Sequence, residues 1–511
     1  MELSRLLEAI ADARSLLIDP KTIPSLKPAD GAVRVAGIAE DSRRVQPGDL
    51  FVALSGSRFE GMEFIAEAIR NGAAAVVGPD GSRRFAQGLT GIRRDVPVVE
   101  VGDPRRVLSM LSAHFYGEPT RTLKTIGVTG TNGKTTTAHM IAHLLGAERI
   151  ELISTVTLAE TGRPSLTTPS SIDVHRMARQ AVEAGKSTLI IEASSIGLEM
   201  HRLADVWFDV AVWMGVTPEH LGFHGTMRSY AEAKLKLVRS LGPEGICAAY
   251  AADPLSAWVE QSCRGRVIRF GTGGSEEVAA QDLDTRMLAT MMTLCIHGQR
   301  IRMRLPVPGE HNVINALAAA SVANGWGMDV AAIVKRLERF PPVPGRFEAY
   351  RSPSGALAIV DFAHTPDAIA RILRHLRTHM ADPASRLIVV FGCTGDADRE
   401  KRHEMGRAAG ALADLAVVTA DNPKFASADE IAADVAAGVK EARGRSRIQL
   451  DRRQAIVDAL ASAGECDVVL VAGKGHETHQ VVAGRFEAFS DRSVLLESGC
   501  GRVAIRGTAD I

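Results

Sequence analysis

Hydrophobic positions along the chain fall in short apolar runs separated by stretches of helical spacing, and that alternation sets the expected architecture. Residues 50–54 and 73–77 read as buried strands on either side of a helical stretch at 62–71. A second series puts strands at 124–126, 187–191 and 210–214, with helices over 138–145 and around 230–238. An Ala-rich helix is expected after Gly309. A third series puts strands at 356–361, 387–391, 415–419 and 468–472, again alternating with helical spacing. Continuous apolar runs alternating with helices predict parallel sheets with both faces covered.

The pattern therefore predicts an α/β protein of three domains. These are a small N-terminal α/β domain over 1–115, a central doubly wound sheet with a phosphate loop over 116–345, and a C-terminal Rossmann-like sheet over 346–511. The proline-rich 341–345 makes the second junction. A length of 511 residues is too long for one core and agrees with about three domains. Lys plus Arg and Asp plus Glu both number 60, so no net field recruits nucleic acid or an anionic membrane. The six cysteines have no paired spacing, which argues against a zinc site or a disulfide framework and fits a reducing cytoplasm. No apolar run is long enough to span a bilayer, and a cytoplasmic monomer is expected.

The central chemistry is expected at 127–137, where Gly130-Thr131-Asn132-Gly133-Lys134-Thr135-Thr136 lies between an apolar strand and a helix. Glycines let backbone N–H groups curl around an anion, and the helix N-terminus adds partial positive charge. Lys134 then reaches the outer phosphates of a nucleotide, and Thr135 or Thr136 ligates magnesium. The usual phosphate-loop spacing would put its first glycine at Val128, whereas here the glycines fall at Gly127 and Gly130. Glu192, at the carboxyl end of the strand 187–191, is well placed to bind magnesium beside that loop. His220, in a loop with His224 after the strand 210–214, is a metal ligand or an orienting group. Lys234 has apolar neighbours at helical spacing and reads as partly buried or as a surface lysine. Thr167 and Thr168, before Pro169, read as a substrate contact or as a helix cap. Asn312 and Asn315 read as a cap or as a base-reading pair. Asp41, Ser42 and Arg43 read first as turn residues. In the C-terminal third, Arg402, Asp421, Asn422, Lys424 and Glu477 gather both signs of charge at strand ends, which suits a zwitterion such as an amino acid.

Taken together these landmarks resemble the Mur ligase family along nearly the whole chain. The resemblance rests on Asp41-Ser42-Arg43, the phosphate loop, Thr167-Thr168-Pro169, Gly392-Cys393-Thr394-Gly395-Asp396, Asp421-Asn422-Pro423 and Gly473-Lys474-Gly475-His476-Glu477. It implies an ATP- and magnesium-dependent ligase that joins an amino acid, here meso-diaminopimelate, to UDP-N-acetylmuramoyl-L-Ala-D-Glu in peptidoglycan precursor synthesis. It implies catalytic roles for Lys134, Lys234, His220 and Glu192. Gly130 to Thr136, Asn312, Arg346 and the ribose-binding Asp361 become ATP contacts. Ser42, Thr167, Thr168, Ser194 and Arg202 become contacts to the UDP-linked acceptor, and Arg402, Asp421, Asn422, Lys424, Gly473 and Glu477 contacts to the amino acid. The implied metal ligands are Thr135, Glu192, His220 and a carbamylated Lys234.

Some positions depart from the family's pattern. Ile196 stands where His is usual, Met200 where Gln is common, and Gly222 where Asp is usual; Glu60 replaces an Asp. Lys424 stands where an arginine grips the distal carboxylate, keeping the charge but losing the bidentate fork. These changes crowd the acceptor and amino-acid pockets and spare the ATP loop. The competing readings are a relative joining another acid to another amine, and a nucleotide-binding regulator without ligase activity.

Overall fold

The computed structural model describes residues 1–12, 33–56, 59–93, 95–161 and 166–503. The chain forms two compact units, one of residues 1–134, 145–154 and 165–268, the other of 135–144, 155–164 and 269–511.

The first unit opens with a four-stranded parallel sheet, β1 (Gly37–Ala39), β2 (Asp49–Val52), β3 (Ala75–Gly78) and β4 (Val98–Glu100), in that order. Period-two alternation splits β2 between two cores. Leu50 and Val52 pack with Leu3, Leu6, Val107 and Leu111, while Phe51 packs with Ile65, Ala68 and Val76 on the other face. The helical stretch expected at 62–71 is a 3₁₀ turn, Gly61–Phe64, followed by the helix Ile65–Arg70. The second sheet of this unit contains β5 (Lys124–Thr129), β6 (Ile150–Ile153), β7 (Thr188–Glu192), β8 (Val210–Trp213) and β9 (Ile246–Tyr250). They run parallel, with β5 between β7 and β8, so the carboxyl end of β5 has a neighbour on each side. The helix after the loop begins at Lys134, four residues before the apolar pattern marks it, because the loop's own polar residues make its first turn.

The second unit holds β10 (Arg266–Gly271) from Arg269 onward, then β11 (Val278–Thr285), β12 (Thr290–Ile296) and β13 (Gln299–Leu305). The last three form an antiparallel meander that the apolar pattern does not single out. Its larger sheet comprises β14 (Glu348–Arg351), β15 (Leu357–Asp361), β16 (Leu387–Phe391), β17 (Leu415–Val418), β18 (Ser446–Ile448), β19 (Val468–Ala472) and, past the hairpin β20 (His479–Val482) and β21 (Arg485–Ala488), β22 (Gly501–Arg502). The order is β18-β17-β16-β19-β15-β14-β22, with β14 and β22 antiparallel at one edge. Ile359, Val389 and Leu470 face one core, Val360, Val390 and Val471 the other, so helices cover both faces as the runs of apolar residues require. Among the described residues no helix is long and apolar enough to cross a membrane.

One buried polar residue stands out in the first unit. His175, in the helix Ser171–Glu183, has no exposed surface, and neither ring nitrogen has a partner. Burial pushes its pKa down to about 4, against a small opposing pull from Asp205. The folded state therefore holds it neutral. That stability is complete above the unfolded value near 6.5 and is lost as pH falls through about 4. His175→Leu removes the unpaired nitrogens and is expected to raise the unfolding free energy by about 1 kcal/mol at pH 7.5 and by more at pH 5. Urea titrations at the two pH values measure both terms; equal or lower stability at both would show that the cavity suits imidazole better than an apolar group.

Candidate active site

The loop after β5 is shaped by glycine. Gly130 has φ 151°, and a Cβ there would lie 2.6 Å from the Met214 Cβ; Gly133 has φ 84°. Its start is pinned just beyond the end of β8, where the Thr131 amide donates to the Gly215 carbonyl at 2.9 Å. Thr131 Oγ1 donates to the Thr217 carbonyl at 3.1 Å and accepts from the Thr217 amide at 2.9 Å.

Two lysines converge on this loop. Lys134 Nζ donates to the carbonyls of Gly130 and Thr131, each at 2.9 Å. Lys234 Nζ donates to the same Gly130 carbonyl at 2.8 Å from the helix Met227–Arg239. Lys234 is 1% exposed, deeper than its apolar neighbours alone imply. Burial, reinforced by the positive charge of Lys134, holds its pKa well below the usual lysine range. Its Nζ lies 4.7 Å from the Tyr230 ring centroid, and the Tyr230 hydroxyl is 3.1 Å from Thr131 Oγ1. His220 approaches the same ring, with centroids 6.2 Å apart. It is the residue before the short helical turn Leu221–His224, with φ 55°, and its side chain is exposed. Glu192 is buried at the end of β7, in register with Val128 of β5. Glu192, His220 and Lys234 thus stand around the loop's first residues.

Thr168 is buried behind Glu192. Its hydroxyl donates to the Glu192 carbonyl at 2.7 Å and accepts from the Ser194 amide at 2.9 Å. Ser194 Oγ lies 2.9 Å from it, and Arg202 Nη1 donates to the Thr168 carbonyl at 2.9 Å. Thr168 is not a helix cap: Ser170 caps the next helix. Thr167 lies just before it, half-buried. In the N-terminal sheet, Asp41 caps the 3₁₀ turn Ser42–Arg44 as a turn residue should. Ser42 is buried, with its hydroxyl on Glu67. Asp41 also lines a small cavity of about 90 Å³ with Glu40, Arg44, Asp49, Ser170 and Asp173.

In the second unit, Thr135 Oγ1 accepts from Arg346 Nη2 at 3.4 Å, and the Arg346 guanidinium lies 4.4 Å over the Phe362 ring. The Asp361 carboxylate accepts from the Phe347 and Ala363 amides at 2.7 and 2.8 Å; burial pushes its pKa up against these bonds and the Arg346 charge. His139 is held near a pKa of about 4 and His476 near about 3, by burial first and then by Arg346. His139 and Phe362 were not singled out from sequence, and His476 only as part of the Gly473–Glu477 motif; the three meet Arg346 only through folding. Asn312 and Asn315 do lie on one face, but they bond to each other at 3.1 Å and to Pro308 O and Thr137 Oγ1, and Gly309, not Asn312, is the N-cap.

The charged residues at the carboxyl ends of the larger sheet gather around a residue missed as a centre, Lys474. It is fully buried and donates to Glu477 Oε2 at 2.7 Å and Asn422 Oδ1 at 3.1 Å, with Asp421 Oδ1 at 3.6 Å. Asn422 Nδ2 donates to the same Glu477 oxygen at 2.9 Å. Gly473, with φ 113°, brings the backbone within reach of Asp421. Lys424 and Arg402 are each committed to another carboxylate, Lys424 to Asp396 at 2.6 Å and Arg402 to Asp434 at 3.0 Å. A lysine inside a Gly-Lys-Gly turn at a strand end was the available signal for Lys474.

Among the described residues no three His, Cys, Asp or Glu side chains form a preformed metal cage. The Glu192 carboxylate, buried at the end of β7, is an oxygen donor of the kind that suits magnesium, which takes one or two protein ligands and fills the rest with phosphate oxygens and water.

Residues 34–116 match the Mur ligase family catalytic domain, 128–323 the Mur ligase middle domain, and 345–475 the Mur ligase glutamate ligase domain. A protein of Chlorobaculum tepidum named UDP-N-acetylmuramoyl-L-alanyl-D-glutamate--2,6-diaminopimelate ligase is 38% identical over 91% of this chain and 93% of its own length. One of the same name from Gloeobacter violaceus is 36% identical over 94% of this chain and 96% of its own. A solved structure bearing that name superposes with TM-score 0.61 at 29% identity, over 94% of this chain and 98% of that one. The MurF ligase of Thermotoga maritima in complex with ADP shares the fold, with TM-score 0.58 at 21% identity over 91% of this chain and 96% of its own. With these relatives and the loop geometry in hand, the chain belongs to the Mur ligase family and is an ATP- and magnesium-dependent, ADP-forming ligase.

Proposed function

We propose that the chain adds meso-diaminopimelate to UDP-N-acetylmuramoyl-L-alanyl-D-glutamate in peptidoglycan precursor synthesis, as a cytoplasmic enzyme with domains at 1–115, 116–345 and 346–511. The terminal phosphoryl group of ATP passes to the acceptor carboxylate, giving an acyl phosphate; the amine then attacks the acyl carbon and phosphate leaves. The observation that carries this reading is the shared Gly130 carbonyl, to which Lys134 and Lys234 both donate. Lys134 turns from that carbonyl to the phosphoryl oxygens, where charge spreads during transfer. Lys234, held toward its neutral amine, is in the form that takes up carbon dioxide as a carbamate, releasing a proton and adding a carboxylate next to the Gly130 carbonyl. Glu192, His220, Thr135 and that carbamate would hold magnesium, which would supply neutralisation of phosphate charge. Thr168, Ser194 and Arg202 hold the acceptor on the strand next to the loop. Asn312, Arg346 and Asp361 hold the nucleotide.

Asp421, Asn422, Lys424, Gly473, Glu477 and Arg402 form the amino-acid side. Lys424, paired with Asp396, favours a second reading in which a different diamino acid is taken. Phosphate release from ATP, measured with the UDP-dipeptide and a panel of diamino acids, decides between them. The largest rate is expected with meso-diaminopimelate and none without an amino acid. Preference for another amine would support the second reading, and no release with any of them would defeat both.

A further inference from the structure

Strand β19 ends at Ala472, and the peptide that joins it to Gly473 is held at both its polar ends. The Gly473 amide donates to the Asp361 carbonyl at 3.1 Å, and the Ala472 carbonyl accepts from Arg452 Nη2 at 2.9 Å. Arg452 opens the helix Arg452–Ser462, and its side chain has no exposed surface. Its guanidinium forks onto the equally buried Asp491, the first residue of the helix Asp491–Glu497, with Nε to Oδ1 at 2.7 Å and Nη2 to Oδ2 at 2.8 Å. Burial opposes the charge of Arg452, but Asp491 first and then Asp421 and Glu477 outweigh it and raise its pKa. Its Nη1 has no partner among the described residues. An ion pair this deep, with one nitrogen unbonded, is commonly no better for stability than apolar groups of the same size. What apolar groups cannot supply is a donor fixed on the Ala472 carbonyl.

We propose that Arg452 is a positioning residue for the amino-acid side of the ligase: clamped by Asp491, it fixes the Ala472–Gly473 peptide and so sets where the turn after it places Lys474 and Glu477. The role rests on the reading that Asp421, Asn422 and Glu477 take the amino acid. Gly473 turns there with φ 113°, and a Cβ on it would lie 3.1 Å from Asp421 Oδ2 and 4.0 Å from Arg452 Nη2. The turn therefore runs between the Arg452 clamp and the Asp421 carboxylate. One residue on, Lys474 bonds Glu477 and Asn422, so a rotation of the Ala472–Gly473 peptide is passed directly to the groups around the amino acid. Displacement of such groups by a fraction of an ångström weakens binding without removing any of them.

The test is steady-state phosphate release with ATP, the UDP-dipeptide and meso-diaminopimelate, or the diamino acid that the panel prefers. Arg452→Met with Asp491→Leu replaces the ion pair by apolar groups and deletes the donor to Ala472. Arg452→Lys keeps a buried cation but loses the planar fork. In both, KM for the amino acid is expected to rise by about tenfold or more, with KM for ATP unchanged and kcat within about threefold. A thermal melt beside each assay shows that the variant is folded, and Arg452→Lys carries the test if the double variant is not. An amino-acid KM within about twofold of the unaltered chain, or a fall in kcat with every KM shifted alike, would leave the pair a purely structural tie and overturn the proposal. Absence of amino-acid-dependent release from the unaltered chain would instead defeat the reading of the cluster, and this role with it.

Discussion

Lys134→Met is expected to lower ligase turnover by roughly a thousandfold, the loss that follows when one aligned charge stabiliser is removed from a transition state. In the unliganded loop, Lys134 rests on the carbonyls of Gly130 and Thr131, so its ammonium is already held over the first turn of the helix Lys134–Leu145. Methionine keeps the length and apolar stem and deletes the charge. Lys234 keeps its own bond to Gly130, so the loop is expected to hold its shape. The check is phosphate release at saturating substrates beside a thermal melt. A normal melt with turnover within tenfold of the unaltered protein would show that the phosphoryl charge is neutralised elsewhere and would remove Lys134 from the proposed mechanism.

The largest expected effect on stability lies in the C-terminal sheet, where Lys474→Met should cost about 3–5 kcal/mol. The Lys474 ammonium has no exposed surface and sits among Glu477, Asn422 and Asp421. Deleting it leaves Asp421, itself 3% exposed, and the Glu477 carboxylate facing each other without the cation between them. Denaturant titration measures the loss. Lys474→Met with Glu477→Gln is expected to recover part of it, because one of the two uncompensated charges is gone. No loss in the single variant would mean that the cluster relaxes or is hydrated. The same cluster is the proposed grip on the amino acid, so a rise in KM for the amino acid, with kcat less affected, is expected in Glu477→Gln alone.

Particular elements show how far residue order reaches. The loop 130–136 was legible because its function is local: glycine, lysine and hydroxyl act through backbone shape and a helix start within seven residues. Strands β5, β7, β8, β15, β16, β17 and β19 were legible because a strand buried on both faces must be apolar throughout. The meander β11–β13 was not, since its outer positions are polar and its pairing is antiparallel.

The site divides along the same line. Glu192 was read correctly as a carboxylate at a strand end, because a parallel sheet puts such ends together whatever lies between them. Lys234 was ambiguous along the chain. Its burial against Gly130, 104 residues away, comes from the packing of one helix on the sheet. Asn312 and Asn315 were placed on one face correctly, but their mutual bond was invisible because it depends on rotamers. Lys474 was passed over in favour of Lys424, since only folding reveals which of two lysines is enclosed and which meets solvent.

Residue order alone determined the α/β class and the phosphate loop, because these rest on short-range spacing, while the family and its ATP-dependent ligation came through the resemblance of motifs spread along the whole chain. Tertiary structure decided which charges lose their water. It drew Lys134 and Lys234 to one carbonyl and closed Lys474 among three polar partners. Desolvation depends on what packs around a group in three dimensions, and segments distant along the chain supply most of that surrounding.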